Sequence, residues 1–226
     1  IYAVENIGVQ FGVSYDPNGQ VEIIGFNQQL TNENGDYLGG VIDSNKKIDV
    51  LPEIYDVLLT KILPKVRALG WYGVGGMDVL IDANGKFYFI DPNFRMTAAF
   101  AYVYLMRHGE FKSPMMTFMG MFRGDEKDFE EKILSVSKLG SANKPMLRII
   151  ALTKADGFYK FNAGMFFDDY KDIVPQAKKL IELGISASTL NRVVEQDKNI
   201  MVHGNYNAPT DNRRKRSIPS FSFRSY

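Results

Sequence analysis

Two acidic residues, Asp78 and Asp91, stand at either end of a segment whose middle reads Asp82-Ala83-Asn84-Gly85. Asn-Gly between apolar runs predicts a two-residue hairpin turn, because a type I′ turn needs a positive φ at both central residues. Cross-strand partners around Asn84-Gly85 would sum to 169, so position 79 faces 90, position 80 faces 89, and Asp78 faces Asp91. Their Cβ atoms would then lie about 4.5–5.5 Å apart. With an effective dielectric of about 20, the ionised pair repels by about 3 kcal/mol, so a proton or a cation must occupy the space between the carboxylates.

Asn93 and Arg95 follow Asp91 at two-residue steps, and a continuing strand would point Asn93 to the same face as the acids. Two carboxylates and an amide oxygen are ligands that a hard cation such as Mg²⁺ takes from a protein, leaving positions for phosphate oxygens. A guanidinium beside such a cation can hold a phosphate or a carboxylate bidentately. Two alternatives stay open: Asp91-Pro92-Asn93 simply ends the strand in a turn, and Arg95 is a surface residue or a structural ion pair.

The elements that must position these residues follow from the spacing of apolar and turn residues. We predict strands over 7–14, 21–26, 146–152 and 158–167. The 3.6-residue period predicts a helix from Pro52 that is kinked at Pro64 and stopped by Gly70. Further helices are predicted over 98–108, 125–139 and 170–183, and residues 27–50 are predicted to form a loop.

Side chains of the hairpin over 77–91 should alternate between two faces. The predicted register places one apolar set away from the acids, namely Val79, Ile81, Tyr88 and Ile90. It places another set beside the acids, namely Leu80, Phe87 and Phe89. Both faces are largely apolar, so a buried pair of like charges there is costly unless it binds something.

Composition limits the class of protein. The chain has 226 residues, a formal net charge of +1 and no cysteine. These values give no reason to expect a nucleic-acid or membrane-surface partner, and no apolar run approaches the ~18 residues of a membrane span. No signal peptide is recognised, so a cytoplasmic location is the default expectation. The last part, residues 199–226, contains the basic run Arg213–Arg216 and is predicted to be a loosely ordered, solvated tail, with an address or polyanion contact as the alternative.

The pattern Asp78-x12-Asp91-x-Asn93-x-Arg95, preceded by Leu69-Gly70-Trp71-Tyr72-Gly73, resembles the metal-binding signature of the ATP-grasp superfamily. The similarity extends upstream to Gly25–Gln29 and Asp36–Gly40, which resemble a strand and a substrate-side loop of carboxylate–amine and peptide ligases in that superfamily. It covers roughly residues 5–105. The second acid here is aspartate, where the family commonly has glutamate.

The resemblance implies an α+β fold: an ATP-grasp C-terminal lobe over 1–108, with an antiparallel sheet and helices, followed by a small α+β domain over 109–198. It implies ATP and Mg²⁺ as cofactors, with Mn²⁺ as a substitute. By the same resemblance, Asp78, Asp91 and Asn93 hold the metal, Arg95 contacts the transferring phosphate, Leu80 lies against adenine, and Gln29 touches substrate. The opposing lobe that supplies lysines to the phosphates is not identifiable, so we expect this chain to hold one side of the nucleotide site.

The function expected from the resemblance is a ligase that joins a small-molecule carboxylate to an amine or a peptide through an acyl phosphate. Two rivals remain. One is another ATP-grasp enzyme, a kinase or a carboxylase, which would share the metal motif and differ in the acceptor. The other is a module in which the fold survives without nucleotide turnover.

Overall fold

The computed structural model describes residues 3–16, 19–31, 35–136 and 146–195. Within these residues nine antiparallel strands form one sheet in the order β5-β4-β1-β2-β3-β6-β8-β7, and β9 pairs with β6. The strands are β1 (Ala3–Val13), β2 (Val21–Thr31), β3 (Tyr37–Ile42), β4 (Gly73–Asp82), β5 (Phe87–Asn93), β6 (Met115–Arg123), β7 (Leu147–Ala155), β8 (Phe158–Phe166) and β9 (Ile185–Ser186).

In the described ranges six α-helices accompany the sheet: α1 (Leu51–Val57), α2 (Leu63–Ala68), α3 (Phe100–Arg107), α4 (Glu126–Phe129), α5 (Ile173–Glu182) and α6 (Ser188–Glu195). Two π-helical stretches, Leu58–Ile62 and Glu130–Leu134, follow α1 and α4, and a 3₁₀ turn over Tyr170–Asp172 precedes α5. The predicted α+β class, an antiparallel sheet with helices, is confirmed. No helix within the described residues is both long enough and apolar enough to span a membrane.

Alternation along the strands separates a helix-covered face from a face with polar residues. Ile7, Val9 and Phe11 of β1 are fully buried in one cluster with residues of β4 and with Ile54 and Leu58 of the first helical segment. The residues between them on β1 are Gly8, Gln10 and Gly12, which point to the opposite face. Helix α3 contributes to another cluster, packing Phe100, Tyr102 and Val103 with Ile24, Ile42, Met115 and Phe166.

Two strands arise where the sequence predicted something else. The predicted loop over 27–50 is wrong in part, because β2 continues to Thr31 and Tyr37–Ile42 forms β3. Gly39 and Gly40 allow this close pairing, since a Cβ at Gly39 would lie 2.1 Å from the Thr117 carbonyl oxygen. Strand β6 was not predicted at all, although its methionine-rich run lies at the centre of the sheet.

The helical segment before the hairpin follows its prediction closely. The stretch from α1 to α2 is continuous, and the break predicted from Pro64 takes the form of the π-helical turn over Leu58–Ile62. Proline lacks the N–H that the carbonyl of position 60 would accept, so the turn widens there. Gly70 has a φ of +88° and ends the segment, as predicted.

The hairpin turn differs from the predicted one. Ala83, Asn84 and Gly85 form a three-residue loop in which Gly85 has a φ of +77°, and the Asp82 amide donates to the Lys86 carbonyl oxygen at 2.9 Å. Val79 therefore faces Phe89 and Leu80 faces Tyr88, one position away from the predicted register. Phe87 and Phe89 pack with the buried Val79 and Ile81, so their predicted position beside the acids is wrong. Tyr88, predicted on the face away from the acids, instead pairs with Leu80, so its prediction is wrong as well.

A β-bulge restores the pairing that matters for the acids. The register shifts between Asp78 and Val79, which leaves Ile90 as the extra residue on β5 and brings Asp78 opposite Asp91. The predicted pairing of the two acids is thus confirmed, although the turn and the inner register are not.

The domain boundary predicted near residue 109 falls within one continuous sheet. Strands from both sides of it pair with each other, with Gly39 opposite Phe118 and Ile42 opposite Met115. The boundary between two domains therefore stays a prediction. The predicted tail over 199–226, with Arg213–Arg216, lies outside the described residues.

Candidate active site

A cavity of about 210 Å³ opens on the polar face of the sheet, where β4 and β5 meet the segment that leads into α3. Four of its side chains are the ones singled out by the motif, and Gln29 of β2 joins them from across the sheet. The lining residues are Gln10, Asn27, Gln29, Tyr37, Asp78, Asp91, Asn93, Arg95, Thr97, Ala98 and Ala99.

Leu80 lies outside the lining of this cavity. It is half-buried on β4, opposite Tyr88 on one side and Asn6 on the other. Because residues of equal parity on a strand share a face, Leu80 follows Asp78 along the same side of β4. Its contact with adenine stays a prediction.

The two acids have different surroundings. Asp78 is half-buried on β4, and its Oδ1 accepts a hydrogen bond of 2.7 Å from Gln29 Nε2. Asp91 is exposed on β5, the edge strand, and its Oδ2 accepts a hydrogen bond of 3.3 Å from Asn93 Nδ2. The site therefore has one carboxylate held in place by the sheet and one that faces the solvent.

Removal from water raises the pKa of the Asp78 carboxyl to about 6. The hydrogen bond from Gln29 opposes this rise in pKa, the neighbouring Asp91 charge adds to it, and the charge of Arg95 opposes it. Without a ligand, the Asp78 carboxyl therefore keeps its proton to a higher pH than an ordinary aspartate does.

We expect Asp78→Asn to stabilise the ligand-free protein, and to do so only above a threshold pH. The folded-state pKa lies above the ordinary value of 3.8, so the wild type loses stability as pH rises from about 4 to 6, whereas the variant has no proton to release. After discounting for partial exposure, the gain is about 1–2 kcal/mol above pH 6 and none below pH 4. Thermal unfolding in metal-free buffer between pH 4 and 8 measures it. A difference in stability that does not change with pH would contradict the burial argument.

The residues present fit a hard cation that is shared with a phosphate ligand. Across the described ranges, no group of three or more His, Cys, Asp and Glu is arranged to hold a metal ion. The donors that converge are two carboxylates and the Asn93 amide oxygen, too few for a closed all-protein site. Mg²⁺ usually takes one or two carboxylates and completes its six positions with water and phosphate oxygens, so the donor set suits Mg²⁺.

Several lining residues were missed by the sequence reasoning. Gln10 and Asn27 are 2% and 1% exposed, and each is a polar residue facing away from the helix-covered core. Gly8 lies between Asn27 and Asp78 in the sheet, and a Cβ at Gly8 would lie 2.9 Å from Asn27 Oδ1 and from Gln29 Nε2. The alternation of Gly8, Gln10 and Gly12 with buried Ile7, Val9 and Phe11 is the signal that could have identified this face.

Residues 1–93 match the family model described as L-aspartate–L-methionine ligase, ATP grasp. The match ends at Asn93, so it includes both acids and the amide of the cavity and stops before Arg95. It covers less than half of the 226 residues.

Solved structures share the fold at low sequence identity. The biotin carboxylase domain of 2-oxoglutarate carboxylase from Hydrogenobacter thermophilus, crystallised with MgADP, ADP and bicarbonate, is 14% identical with a TM-score of 0.51, and the match covers 86% of this chain and 49% of that one. The phosphoribosylaminoimidazole carboxylase ATPase subunit from Aquifex aeolicus is 12% identical with a TM-score of 0.50, covering 81% and 57%. N5-carboxyaminoimidazole synthase from Aspergillus clavatus, in complex with ADP and 5-aminoimidazole ribonucleotide, is 10% identical with a TM-score of 0.50, covering 84% and 52%.

The chain spans about half the length of these solved structures. Their likeness concerns the fold, whereas the family match concerns the strands that carry the acids. Residues 1–93 are thus similar to an ATP-grasp family model, and the described residues share the fold of these solved structures.

Proposed function

We propose that this protein is an ATP- and Mg²⁺-dependent ligase that joins a carboxylate to an amine through an acyl phosphate. The observation that carries the proposal is the convergence of Asp78, Asp91, Asn93 and Arg95 in one cavity on the sheet face. The family match over residues 1–93 supports the ligase class.

In this proposal, Asp78, Asp91 and Asn93 hold Mg²⁺, with Mn²⁺ as a substitute. When bound, the cation would neutralise charge on the phosphate oxygens, as metal ions do in phosphoryl transfer. The chain's own contribution is placement: Gln29 holds the Asp78 carboxylate by a 2.7 Å hydrogen bond, and the bulge at Ile90 sets Asp91 opposite it.

The proposed reaction has two steps. A substrate carboxylate oxygen attacks the γ-phosphorus of ATP, the bond from phosphorus to the bridging oxygen breaks, and ADP leaves. The amine nitrogen then attacks the acyl carbon, the bond from that carbon to the phosphate oxygen breaks, and inorganic phosphate and a proton leave. Arg95 would hold the transferring phosphoryl group and then the departing phosphate, where negative charge accumulates.

The family description suggests the first substrates to test, L-aspartate as the carboxylate and L-methionine as the amine. Other amino acids or a peptide are the next candidates for the same two roles. A cytoplasmic location belongs to the same set of proposals.

The test is an ADP-release assay on the protein expressed from its complete gene. We expect ADP release with ATP, Mg²⁺, L-aspartate and L-methionine, and a product whose mass equals both amino acids less one water. Omission of the amine should suppress this product. ADP release that depends on bicarbonate and not on an amine would contradict the ligase assignment and favour a carboxylase. No Mg²⁺-dependent ATP binding at millimolar nucleotide would favour a non-catalytic module.

A further inference from the structure

A chain of hydrogen bonds runs along the wall of the cavity, from β2 through β1 to the segment before α3. Thr97 Oγ1 donates to Gln10 Oε1 at 2.6 Å. Gln10 Nε2 donates to the Gly8 carbonyl oxygen at 3.2 Å and to Asn27 Oδ1 at 3.1 Å. Gln10 and Asn27 are almost fully buried, so the three side chains form one polar network inside the sheet face.

The Gly8 carbonyl determines which group donates and which accepts in each hydrogen bond of this network. The Gly8 carbonyl can only accept a hydrogen bond, so the amide nitrogen of Gln10 must face it. The amide oxygen of Gln10 therefore faces Thr97, and the Thr97 hydroxyl must be the donor. Loss of that hydroxyl would leave a buried acceptor without a partner, which costs more than the net gain of an ordinary hydrogen bond.

Thr97 binds the segment after β5 to β1 through its hydrogen bond to Gln10. The three residues before it, Phe94, Arg95 and Met96, are exposed, and they follow an edge strand. On its other side, the Thr97 carbonyl oxygen accepts from the Phe100 amide at 3.2 Å, at the start of α3. The Thr97 methyl group packs on Gly76 of β4 so closely that a Cβ at Gly76 would lie 2.6 Å from Thr97 Cγ2.

We propose that Thr97 and Gln10 are positioning residues: their hydrogen bond holds the segment that carries Arg95 against β1 and so fixes Arg95 over the cavity. This inference rests on the proposed function for the role of Arg95 in turnover. The anchoring itself can be measured without turnover.

The first test is hydrogen exchange of the Phe100 amide, which donates to the Thr97 carbonyl oxygen. We expect Thr97→Val to speed exchange of this amide by about tenfold, because the variant keeps the shape of threonine and loses the hydroxyl donor that anchors residue 97. Thr97→Ser, which keeps the hydroxyl, should stay within about twofold of the wild type. Thr189→Val is the matched control, since Thr189 is 1% exposed and donates its hydroxyl to the Leu38 carbonyl oxygen elsewhere in the fold. Unchanged exchange in Thr97→Val would overturn the proposal.

The second test is steady-state kinetics of the same variants. Thr97→Val should lower kcat by about 10- to 100-fold while the KM for MgATP changes by less than about threefold. Thr97→Ser and Thr189→Val should keep kcat. A kcat unchanged by Thr97→Val, with exchange increased, would overturn the positioning role. An inactive wild type would instead reject the proposed function, and the exchange measurement would still decide the anchoring.

The contact with Gly76 supplies a rescue experiment. Gly76→Ala should displace Thr97, because its Cβ would meet Thr97 Cγ2 at 2.6 Å and Gln10 Oε1 only at 3.2 Å. Serine at position 97 removes Cγ2, so the double variant Gly76→Ala/Thr97→Ser should recover the wild-type exchange rate of the Phe100 amide, and also kcat. A double variant as impaired as Gly76→Ala alone would contradict the placement of Thr97 over Gly76.

Discussion

Asp91→Asn is expected to lower ligase turnover by about a thousandfold, equivalent to about 4 kcal/mol in the activation free energy. Asp91 faces Asp78 across the bulge, and together they supply both carboxylates of the proposed metal site. The change keeps the size of the side chain and an oxygen that can accept from Asn93 Nδ2. It removes one of the two charges that would attract the cation, so the effect should be chemical rather than structural.

The control for Asp91→Asn is the same substitution at Asp56, an exposed acid on α1 at the helix-covered face of the sheet. Asp56→Asn should leave kcat and KM within about twofold of the wild type, since substitutions of exposed residues away from binding sites and the core usually have small effects. An Asp91→Asn enzyme that retains wild-type turnover would show that the metal is held elsewhere. If the Asp91→Asn enzyme lost turnover only in proportion to a loss of folded protein, that result would also count against Asp91 as a metal ligand.

Arg95→Lys is expected to lower kcat by about a hundredfold, with little change in the affinity for Mg²⁺ and nucleotide. Lysine keeps the positive charge but not the planar fork that holds a phosphate bidentately. Arg95 is exposed and lines the same cavity as Asp78, and its charge partly opposes the rise in the pKa of Asp78.

Separate measurement of nucleotide binding and turnover tests the Arg95 assignment. Its charge is needed where phosphate accumulates charge during the reaction, so kcat should fall while the dissociation constant for MgADP stays within about threefold. Arg123→Lys, at the exposed end of β6, is the control for the substitution itself. If Arg95→Lys weakened MgADP binding and left kcat unchanged, Arg95 would be a ground-state contact and not a group acting on the transferring phosphate.

The parts of the site that could be predicted are those whose residues lie close to one another along the chain. Asp78 and Asp91 are joined by a hairpin, and their opposition could be inferred from the Asn-Gly signal. The predicted pair was correct although the predicted turn was not. The three-residue loop shifts the register by one position, and the bulge at Ile90 shifts it back. Short turn motifs do not reveal bulges, so the predicted faces of Phe87, Tyr88 and Phe89 were wrong.

The parts that sequence reasoning missed depend on long-range pairing. Gln10, Asn27 and Thr97 meet only because β1 lies between β2 and β4, and because α3 begins beside them. Strand β3 was predicted as loop because its glycines are typical of loops, whereas here Gly39 and Gly40 permit close contact between backbones. The alternation along β1 could have identified the polar face, but neither the meeting of these three side chains nor β3 has a local signature that distinguishes it from the alternative.

Binding of Mn²⁺ in the presence of ADP, followed by electron paramagnetic resonance, tests most directly whether the paired acids hold the cation. The wild type should bind Mn²⁺ in an ADP-dependent way. Asp78→Asn and Asp91→Asn should each weaken the binding of Mn²⁺ by at least about tenfold, and Asp56→Asn should not change it. Equal Mn²⁺ affinity in the wild type and in both site variants would contradict the metal site and, with it, the proposed chemistry.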